Sequence, residues 1–348
     1  TEMWYIKAGR PMTEPGPKPA MTEPAMMTQA FPHKNDLTIQ FAHPAYRLHE
    51  RFELRQTGID SFQSWTPEDM RARMEDADIL VASGFWNNDP ILTSKRLRFV
   101  QVCAAGYDQF DLAAIKAAGI RMANAAGVNK NAVSEHVMAL LLSLTRQIHI
   151  ARDNQRNHHW RGMISEFARR EDELPGKTML IFGVGQIGQR TARLARAFGM
   201  TVIGIRRNMS EALDVVDELH GPEDFLSLIP RADVVVLCCP LTPQTTHLIN
   251  PTTLAAMKPS AFVINVARGG CVDEAALIAA LQAGAIAGAG IDTTVTEPLA
   301  KDSPLWSFEN VVLTPHTGGE TRKYEDNVID ILVDNIDRLT GGDPALRN

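Results

Sequence analysis

The chain has 348 residues, which is long for a single hydrophobic core and favours two domains. Apolar residues make up 45% of the chain and charged residues 22%, a composition typical of soluble globular proteins that excludes a fibrous or largely disordered chain. A net charge of -6 argues against a broad nucleic-acid-binding surface, although a local basic patch could still bind a small anion.

Two features of the sequence bear on the cellular location of the protein. No apolar run approaches the roughly 18–20 residues that span a bilayer, and no signal-peptide core follows the first residues, so no membrane contact is expected. The 4 cysteines are too few for a disulfide framework, and two of them, Cys238 and Cys239, adjoin in one apolar run. Reduced thiols in a cytoplasmic protein are therefore expected.

Residues 1–36 form a Pro- and Met-rich N-terminal extension without hydrophobic periodicity, and the tetrapeptide MTEP occurs in it at 12–15 and again at 21–24. Such a composition cannot build a core of its own. If the extension is ordered, it must dock on another surface, and a partner subunit is the hypothesis.

From Leu37 onward, strands alternate with helices. Strands are predicted at LTIQFA (37–42), ILVA (79–82), FVQV (99–102) and IRMAN (120–124). Helices are predicted at 51–56, from the N-cap Thr66 with Pro67 in the first helical position, and at 111–118. This alternation predicts a parallel sheet that is covered on both faces.

A long apolar-rich helix, about 132–148, is predicted to lead into a second region of the same kind. Six further strands are predicted there, at 179–182, 201–205, 234–238, 262–266, 287–292 and 311–315. Their number fits a doubly wound sheet built from two mononucleotide-binding halves. A final helix, about 322–340, is predicted to return to the first region.

The sequence GVGQIG (183–188) follows a predicted strand and opens an amphipathic helix. In that context Gly183 permits a tight turn, Gly185 lets the N–H groups around Gln186 and Ile187 approach a pyrophosphate, and Gly188 lets the helix pack on the sheet. The alternative is a tight turn that binds nothing, which the strand–turn–helix context disfavours. A dinucleotide site is predicted.

The stretch TVIGIRRN (201–208) bears on which dinucleotide binds. The fingerprint predicts an acid about 20 positions on, where it bonds the ribose 2′-hydroxyl, but this position is Arg206. Taken alone, Arg206 and Arg207 could be solvated charges at a helix start. At this place an arginine can pair with a 2′-phosphate, and Asn208 and Ser210 add donors. NADP(H) is therefore predicted as the preferred cofactor, with NAD(H) also permitted.

Reactive side chains follow three later strands. Arg268 follows the strand at 262–266, Asp292 and Glu297 follow that at 287–292, and His316 follows that at 311–315. Open α/β sheets bind ligands at this edge, where the loops converge. Each residue alone has an ordinary alternative: a surface charge, a turn acid, or a satisfied histidine. The other histidines, including His136, are given that ordinary interpretation.

These segments resemble the D-isomer-specific 2-hydroxyacid dehydrogenases over nearly all of residues 79–319. The matching pieces are AAGYDQFD (104–111), AVSEHVMALLL (132–142), PGKTMLIFGVGQIG (175–188), PLTPQTTHLIN (240–250), INVARGGCVDEAAL (264–277) and TPHTGG (314–319). The resemblance implies an α/β fold with two doubly wound parallel-sheet domains and the active site in the cleft between them. The flavodoxin-like substrate domain would comprise 37–127 plus 320–348, and the Rossmann-like cofactor domain 128–319.

The resemblance also implies a catalytic triad of Arg268, Glu297 and His316. A 2-keto acid needs a hydride on its carbonyl carbon, which a nicotinamide supplies, and a proton on its oxygen. His316 can give that proton because histidines titrate near neutrality, and Glu297 would favour the imidazolium and orient it. Arg268 would bind the carboxylate with its planar fork.

Further contacts are implied only by the resemblance. Backbone N–H groups around three residues would bind the other side of the substrate carboxylate: Ala104, Ala105 and Gly106. The cofactor would meet Pro240, Thr245, Ala267 and Gly318, with Asp292 at the nicotinamide carboxamide end. No metal site is expected. A homodimer formed mainly through the cofactor domains and the long helix is implied.

Differences from related families narrow the choice of substrate. Formate dehydrogenases of this superfamily carry Gln where Glu297 stands, and phosphonate dehydrogenases carry Lys where Ala105 stands. The stretch 81–86, expected to line the pocket opposite Arg268, has no cation and ends in Phe85 and Trp86. NADPH-dependent reduction of a small or apolar 2-keto acid to the D-2-hydroxy acid is therefore expected, with glyoxylate and hydroxypyruvate leading.

Alternatives remain open from the sequence. One is an NAD-dependent D-2-hydroxyacid dehydrogenase, or a phosphonate- or formate-type enzyme. The other is a non-enzymatic, dinucleotide-sensing binding protein, since transcriptional corepressors with this fold exist. Turnover of 2-keto acids discriminates between the enzymes and the binding protein.

Overall fold

The computed structural model describes residues 31–83, 85, 94–107, 110–210, 213–343 and 345–347. Residues 1–30, and with them the hypothesis that the N-terminal extension docks on a partner subunit, lie outside the described residues. Within the described residues, the first regular element is a short 3-10 helix at Lys34–Asp36.

The first sheet lies within the first third of the chain. Its strands are β1 (Thr38–Ala42), β2 (Asp60–Ser64), β3 (Ile79–Ala82), β4 (Phe99–Val102) and β5 (Arg121–Ala123). The helices described here are α1 (Leu48–Glu53), α2 (Pro67–Ala72) and α3 (Leu112–Ala117). All strand pairs are parallel, in the order β2-β1-β3-β4-β5, which is the flavodoxin order expected from the resemblance.

Two predictions for this region were wrong. The strand β2 was missed because its sequence, DSFQS, is polar and lies at a sheet edge, where alternation is weak. Helix α1 begins before the predicted 51–56 and ends earlier, because Gln56 has a φ of 49° in the left-handed region. The start of α2 was predicted correctly: Thr66 Oγ1 accepts the Asp69 N–H at 3.1 Å.

The second sheet contains the remaining strands. They are β6 (Thr178–Phe182), β7 (Thr201–Ile205), β8 (Glu218–His220), β9 (Val234–Leu237), β10 (Phe262–Asn265), β11 (Gly288–Ile291) and β12 (Val311–Leu313). They pair in parallel in the order β12-β11-β10-β9-β6-β7-β8. From β8 to β11 this is the doubly wound dinucleotide-binding order. The two-sheet α/β fold class predicted from the sequence is thus confirmed.

Helices cover this sheet and lead back to the first. They are α4 (Lys130–Thr145), α5 (Ile148–Arg156), α6 (Gln186–Ala197), α7 (Phe225–Leu228), α8 (Pro251–Ala256), α9 (Glu274–Gln282) and α10 (Tyr324–Thr340). Among the described residues, no helix is both long and apolar enough to cross a membrane.

Two details of this region also differ from expectation. Six strands were predicted, but the described sheet has seven, because the short edge strand β8 lacks an apolar run. The predicted helix 132–148 is two helices, since Gln147 has a φ of 52° and its side chain bonds the Arg169 carbonyl at 3.0 Å. Nothing in the apolar periodicity marks that break.

The apolar cores follow the two sheets. The final helix α10 contributes Val328 and Leu332 to a cluster on the first sheet, and its buried Asn335 donates to Gln101 on β4 at 2.9 Å. Helix α4 packs Val137 and Leu141 into a cluster on the second sheet. The division into one domain of 37–127 plus 320–348 and another of 128–319 stays a prediction.

Candidate active site

The turn between β6 and α6 is built around two glycines. Gly183 has a φ of 103°, and a Cβ on it would lie 2.8 Å from backbone atoms of Cys238. A Cβ on Gly188 would lie 2.3 Å from the carbonyl oxygen of Gly183. Neither position accepts a side chain, so strand and helix approach each other closely.

Gly185 differs from these two because the space at its Cβ position is open. It is the exposed N-cap of α6, and nothing lies within 4 Å of an added Cβ. The first N–H groups of an α-helix lack intrahelical acceptors and carry the positive end of its dipole. The backbone at Gly185, Gln186 and Ile187 therefore fits the pyrophosphate of a dinucleotide. The individual contacts stay predictions.

The end of β7 is tied directly to this turn. The Ile205 carbonyl accepts the Gly183 N–H at 2.9 Å, so Arg206 leaves the sheet beside the glycine turn. The Nε of Arg206 donates to the Asn208 carbonyl, and Arg207 is exposed. Two basic side chains therefore stand where the fingerprint normally has its ribose-binding acid.

Arg268 follows β10 on a backbone held by buried Asn265. The Asn265 side chain accepts the Ala267 N–H at 3.1 Å and donates to the Arg268 carbonyl at 3.1 Å. The Nη1 of half-buried Arg268 donates to the Ala267 carbonyl at 2.8 Å. Asn265 was missed in the sequence analysis, although a polar residue that ends an apolar strand was the available signal.

Gly269 brings the Arg268 loop against the loop that follows β11. A Cβ on Gly269 would lie 2.0 Å from the carbonyl carbon of Thr294. The Thr294 N–H donates to Glu297 Oε1 at 3.2 Å. Arg268 and Glu297 are thus carried on two loops whose backbones touch.

His316 pairs with Glu297 as the resemblance leads one to expect. Its Nδ1 lies 2.8 Å from Glu297 Oε2, so Nδ1 donates to the carboxylate and Nε2 is left for a ligand. His316 has a φ of 55°, and its N–H donates to the Asp292 carbonyl at 2.8 Å. The His316 side chain is 45% exposed and can meet a substrate.

Asp292 is engaged within the protein. Its carboxylate accepts the Thr314 hydroxyl at 2.6 Å and the N–H groups of Thr317 and Gly318 at 3.0 Å each, and His136 Nε2 lies 3.4 Å away. Burial acts to raise the pKa of Asp292, but hydrogen bonds from His136, Thr314 and Gly318 outweigh it and hold the pKa below its usual range. The implied cofactor contact of Asp292 stays a prediction.

The loop after β9 carries the other implied cofactor residues. Pro240 is exposed, whereas Thr245 is buried, and its hydroxyl donates to the Pro240 carbonyl at 2.7 Å and accepts the Thr242 N–H at 2.7 Å. Thr245 therefore shapes this loop from inside. Ala267 and Gly318 are buried in the loops after β10 and β12.

The loop after β4 presents backbone donors. The carbonyls of Ala104 and Ala105 bond the Ala125 N–H and the Asn124 side chain, each at 3.0 Å. In a planar trans peptide the next N–H points the opposite way, so the N–H groups of Ala105 and Gly106 face away from these partners. That orientation suits a substrate carboxylate.

A cavity of about 500 Å³ adjoins the His316–Glu297 pair. Its apolar wall includes Leu299, Trp306 and Leu313. The stretch 81–86 was expected to line the substrate pocket, but Gly84 and Trp86 lie outside the described residues. Within the described ranges, no group of three or more His, Cys, Asp or Glu could hold a metal ion.

Comparisons with known proteins agree on one family. A family model for the NAD-binding domain of D-isomer specific 2-hydroxyacid dehydrogenases matches residues 138–318. Glyoxylate/hydroxypyruvate reductase B of Yersinia pestis is 36% identical over 301 residues, covering 84% of this chain and 91% of that protein. D-3-phosphoglycerate dehydrogenase of Methanocaldococcus jannaschii is 34% identical over 286 residues, covering 80% of this chain and 53% of that protein, so the chain spans about half of its length.

A solved structure extends the likeness to the fold. The acyclic imino acid reductase in complex with NADPH and D-Arg superposes with a TM-score of 0.78 at 27% identity. The superposition covers 89% of this chain and 99% of that chain.

Replacing Gly269→Ala tests the contact between the two loops. The added methyl group would overlap the Thr294 backbone, so we expect destabilisation of about 1–3 kcal/mol. Thermal unfolding followed by circular dichroism measures it, with Gly162→Ala as the control, because nothing lies within 4 Å of that position. Equal melting temperatures for both variants would contradict the close approach.

Proposed function

Because the chain belongs to the D-isomer-specific 2-hydroxyacid dehydrogenase family and is an oxidoreductase of 2-hydroxy acids, we propose that it reduces a small 2-keto acid to the D-2-hydroxy acid with NADPH. One observation carries the proposal. His316 pairs with Glu297 on a loop whose backbone touches that of the Arg268 loop. A proton donor, its orienting acid and an anion-binding cation are thereby brought together.

The proposed chemistry divides among these groups. When bound, the dinucleotide supplies the hydride for the carbonyl carbon. Arg268 binds the substrate carboxylate and polarises the keto oxygen, while the N–H groups of Ala105 and Gly106 bind the other carboxylate oxygen. Imidazolium His316 gives its Nε2 proton to the former keto oxygen, and Glu297 holds the ring by Nδ1 throughout.

Glyoxylate and hydroxypyruvate are the proposed substrates. The stretch 81–86 and Ala104–Gly106 contain no cation that could neutralise a second acidic group. The name of the Yersinia relative supports the same pair of substrates. The glutamate at 297 and the alanine at 105 speak against the formate and phosphonate alternatives.

NADP(H) is the proposed cofactor. Arg206 stands beside the glycine turn, and Arg207 is exposed next to it, so a 2′-phosphate would meet two cations where an acid would repel it. The NADPH bound by the imino acid reductase of the same fold supports this choice. NAD(H) binding is still compatible with the turn itself.

A homodimer is also proposed. Three large apolar side chains on the segment after α5 are almost fully exposed: Trp160 at 97%, Met163 at 102% and Phe167 at 86%. A second copy that covers this segment would remove a sizeable apolar surface from water. The segment continues from α4 and α5, as the family resemblance leads one to expect.

The cytoplasm is the proposed compartment. All 4 cysteines of the sequence are free thiols in the structure. Buried Cys239 and Cys271 pack in one apolar cluster as free thiols. Free thiols are typical of proteins in a reducing compartment. An oxidised pair in protein isolated from cells would contradict this assignment.

Replacing His316→Gln tests the proton donor. We expect loss of turnover with glyoxylate, hydroxypyruvate and phenylpyruvate, measured as NADPH or NADH oxidation, with cofactor affinity changed less than about twofold, because the residue meets the keto oxygen. His33→Gln is the control, because His33 precedes the 3-10 helix whose Lys34 bonds Asp337 in the last turn of α10. Turnover by His316→Gln would refute this role, and a wild-type protein inactive on every keto acid would favour a dinucleotide-sensing binding protein.

Replacing Arg206→Asp tests the cofactor choice. Losing charge-assisted bonds of about 1.5–3 kcal/mol should lower the NADPH-to-NADH ratio of kcat/KM by roughly 10- to 100-fold. Arg193→Asp on the exposed face of α6 makes the same charge change away from the β7 end and should leave the ratio unaltered. An unchanged ratio in Arg206→Asp would refute the assignment.

Sedimentation equilibrium tests the proposed dimer. The wild type should sediment at twice the chain mass of 38.3 kDa. Trp160→Glu places a charge in the proposed interface and should shift the protein toward the monomer, whereas Leu226→Glu on α7 should not. A monomeric wild type at micromolar concentration would contradict the interface.

A further inference from the structure

His136 on α4 contacts the loop that carries His316, although the two lie far apart in sequence. Its Nε2 lies 2.8 Å from the Thr314 hydroxyl and 3.4 Å from Asp292 Oδ1. The His136 side chain is only 20% exposed, and a Cβ on Gly318 would lie 3.0 Å from its ring. The sequence analysis gave His136 an ordinary structural interpretation.

The number of available protons determines which group donates in each of these hydrogen bonds. Thr314 has a single hydroxyl proton, and it is donated to Asp292 Oδ1 at 2.6 Å. The Thr314 oxygen must therefore accept from His136, which requires a proton on Nε2. The result is a directed series of bonds from His136 through Thr314 to the Asp292 carboxylate.

Asp292 in turn holds the backbone of His316 and of the two residues that follow it. Its carbonyl accepts the His316 N–H at 2.8 Å, and its carboxylate accepts the Thr317 N–H at 3.0 Å and the Gly318 N–H at 3.0 Å. Three consecutive N–H groups are thus bonded to one residue. His316 sits among them with a φ of 55°, a conformation that non-glycine residues keep only when their surroundings enforce it.

We propose that His136 is a positioning residue for the reaction: it orients Thr314 and Asp292, which hold His316 in the geometry needed for proton transfer. The inference rests on the proposed function, because it assigns His136 an effect on the chemical step.

The test compares the effect of a His136 substitution on kcat with its effect on the NADPH dissociation constant. His136→Leu removes the N–H donor and leaves an apolar side chain in its place. We expect kcat to fall about tenfold, with the NADPH dissociation constant within twofold of wild type, because misplacing a catalytic group by about 1 Å costs up to roughly 100-fold. His136→Gln retains an N–H donor and should recover most of kcat.

Ser134→Ala is the matched control for a purely structural effect. Ser134 is buried on the same helix, but its hydroxyl bonds the Asn131 carbonyl at 2.9 Å and does not reach the His316 loop. Its loss should lower the melting temperature and leave kcat unchanged.

Substitutions of Thr314 provide a second, independent test. Thr314→Val breaks the series and should lower kcat like His136→Leu, and the double variant should be no worse than either single change. Thr314→Ser keeps the hydroxyl and should stay active. If His136→Leu does not fold, the comparison of Thr314→Val with Thr314→Ser is decisive. Equal kcat values for these two variants would overturn the proposal.

The outcomes separate this inference from the proposed function. An inactive wild type contradicts the proposed function. An active wild type together with an equally active, folded His136→Leu, or with His136→Gln as impaired as His136→Leu, overturns the positioning role alone.

Discussion

The backbone contact between Gly269 and Thr294 is the constraint on which the site depends. Strands β10 and β11 pair in parallel, so both end at the same sheet edge and send their loops out side by side. Because residue 269 has no side chain, these loops meet without an intervening layer. The spacing between the loops of Arg268 and Glu297 is therefore set by two paired strands, which position side chains more precisely than loops do.

A second set of hydrogen bonds holds His316. The left-handed backbone of His316 costs on the order of 1–3 kcal/mol, and the bonds of Asp292 to three consecutive N–H groups offset that strain. Asp292 itself stays charged because donors surround its carboxylate. The burial that would otherwise neutralise the acid is thus compatible with its role as an anchor.

The parts that the sequence predicted share a physical origin. Buried apolar strands such as β6 and β9, the N-cap Thr66 and the glycine turn are determined by residues adjacent in the chain. The polar edge strands β2 and β8 and the helix break at Gln147 were not predictable, because their pattern does not differ from that of loops or continuous helix. Edge position and tertiary contacts decide these features.

The site was predicted unevenly for the same reason. Arg268, Glu297 and His316 were singled out because of their place after predicted strands and their family resemblance. Asn265 and His136 were missed because their roles depend on partners that only the fold brings near, such as Thr314 for His136. An isolated histidine on an apolar helix reads as a core residue until the opposite loop is known.

The proposed function requires that this sheet edge bring a hydride, a proton and a 2-keto acid together. Isotope transfer tests it most directly: hydroxypyruvate is incubated with NADPH that carries deuterium on the transferred position of the nicotinamide. The glycerate formed is then analysed by mass spectrometry and chiral chromatography. We expect D-glycerate with deuterium on C2, whereas unlabelled product or the L enantiomer would refute the proposed hydride transfer.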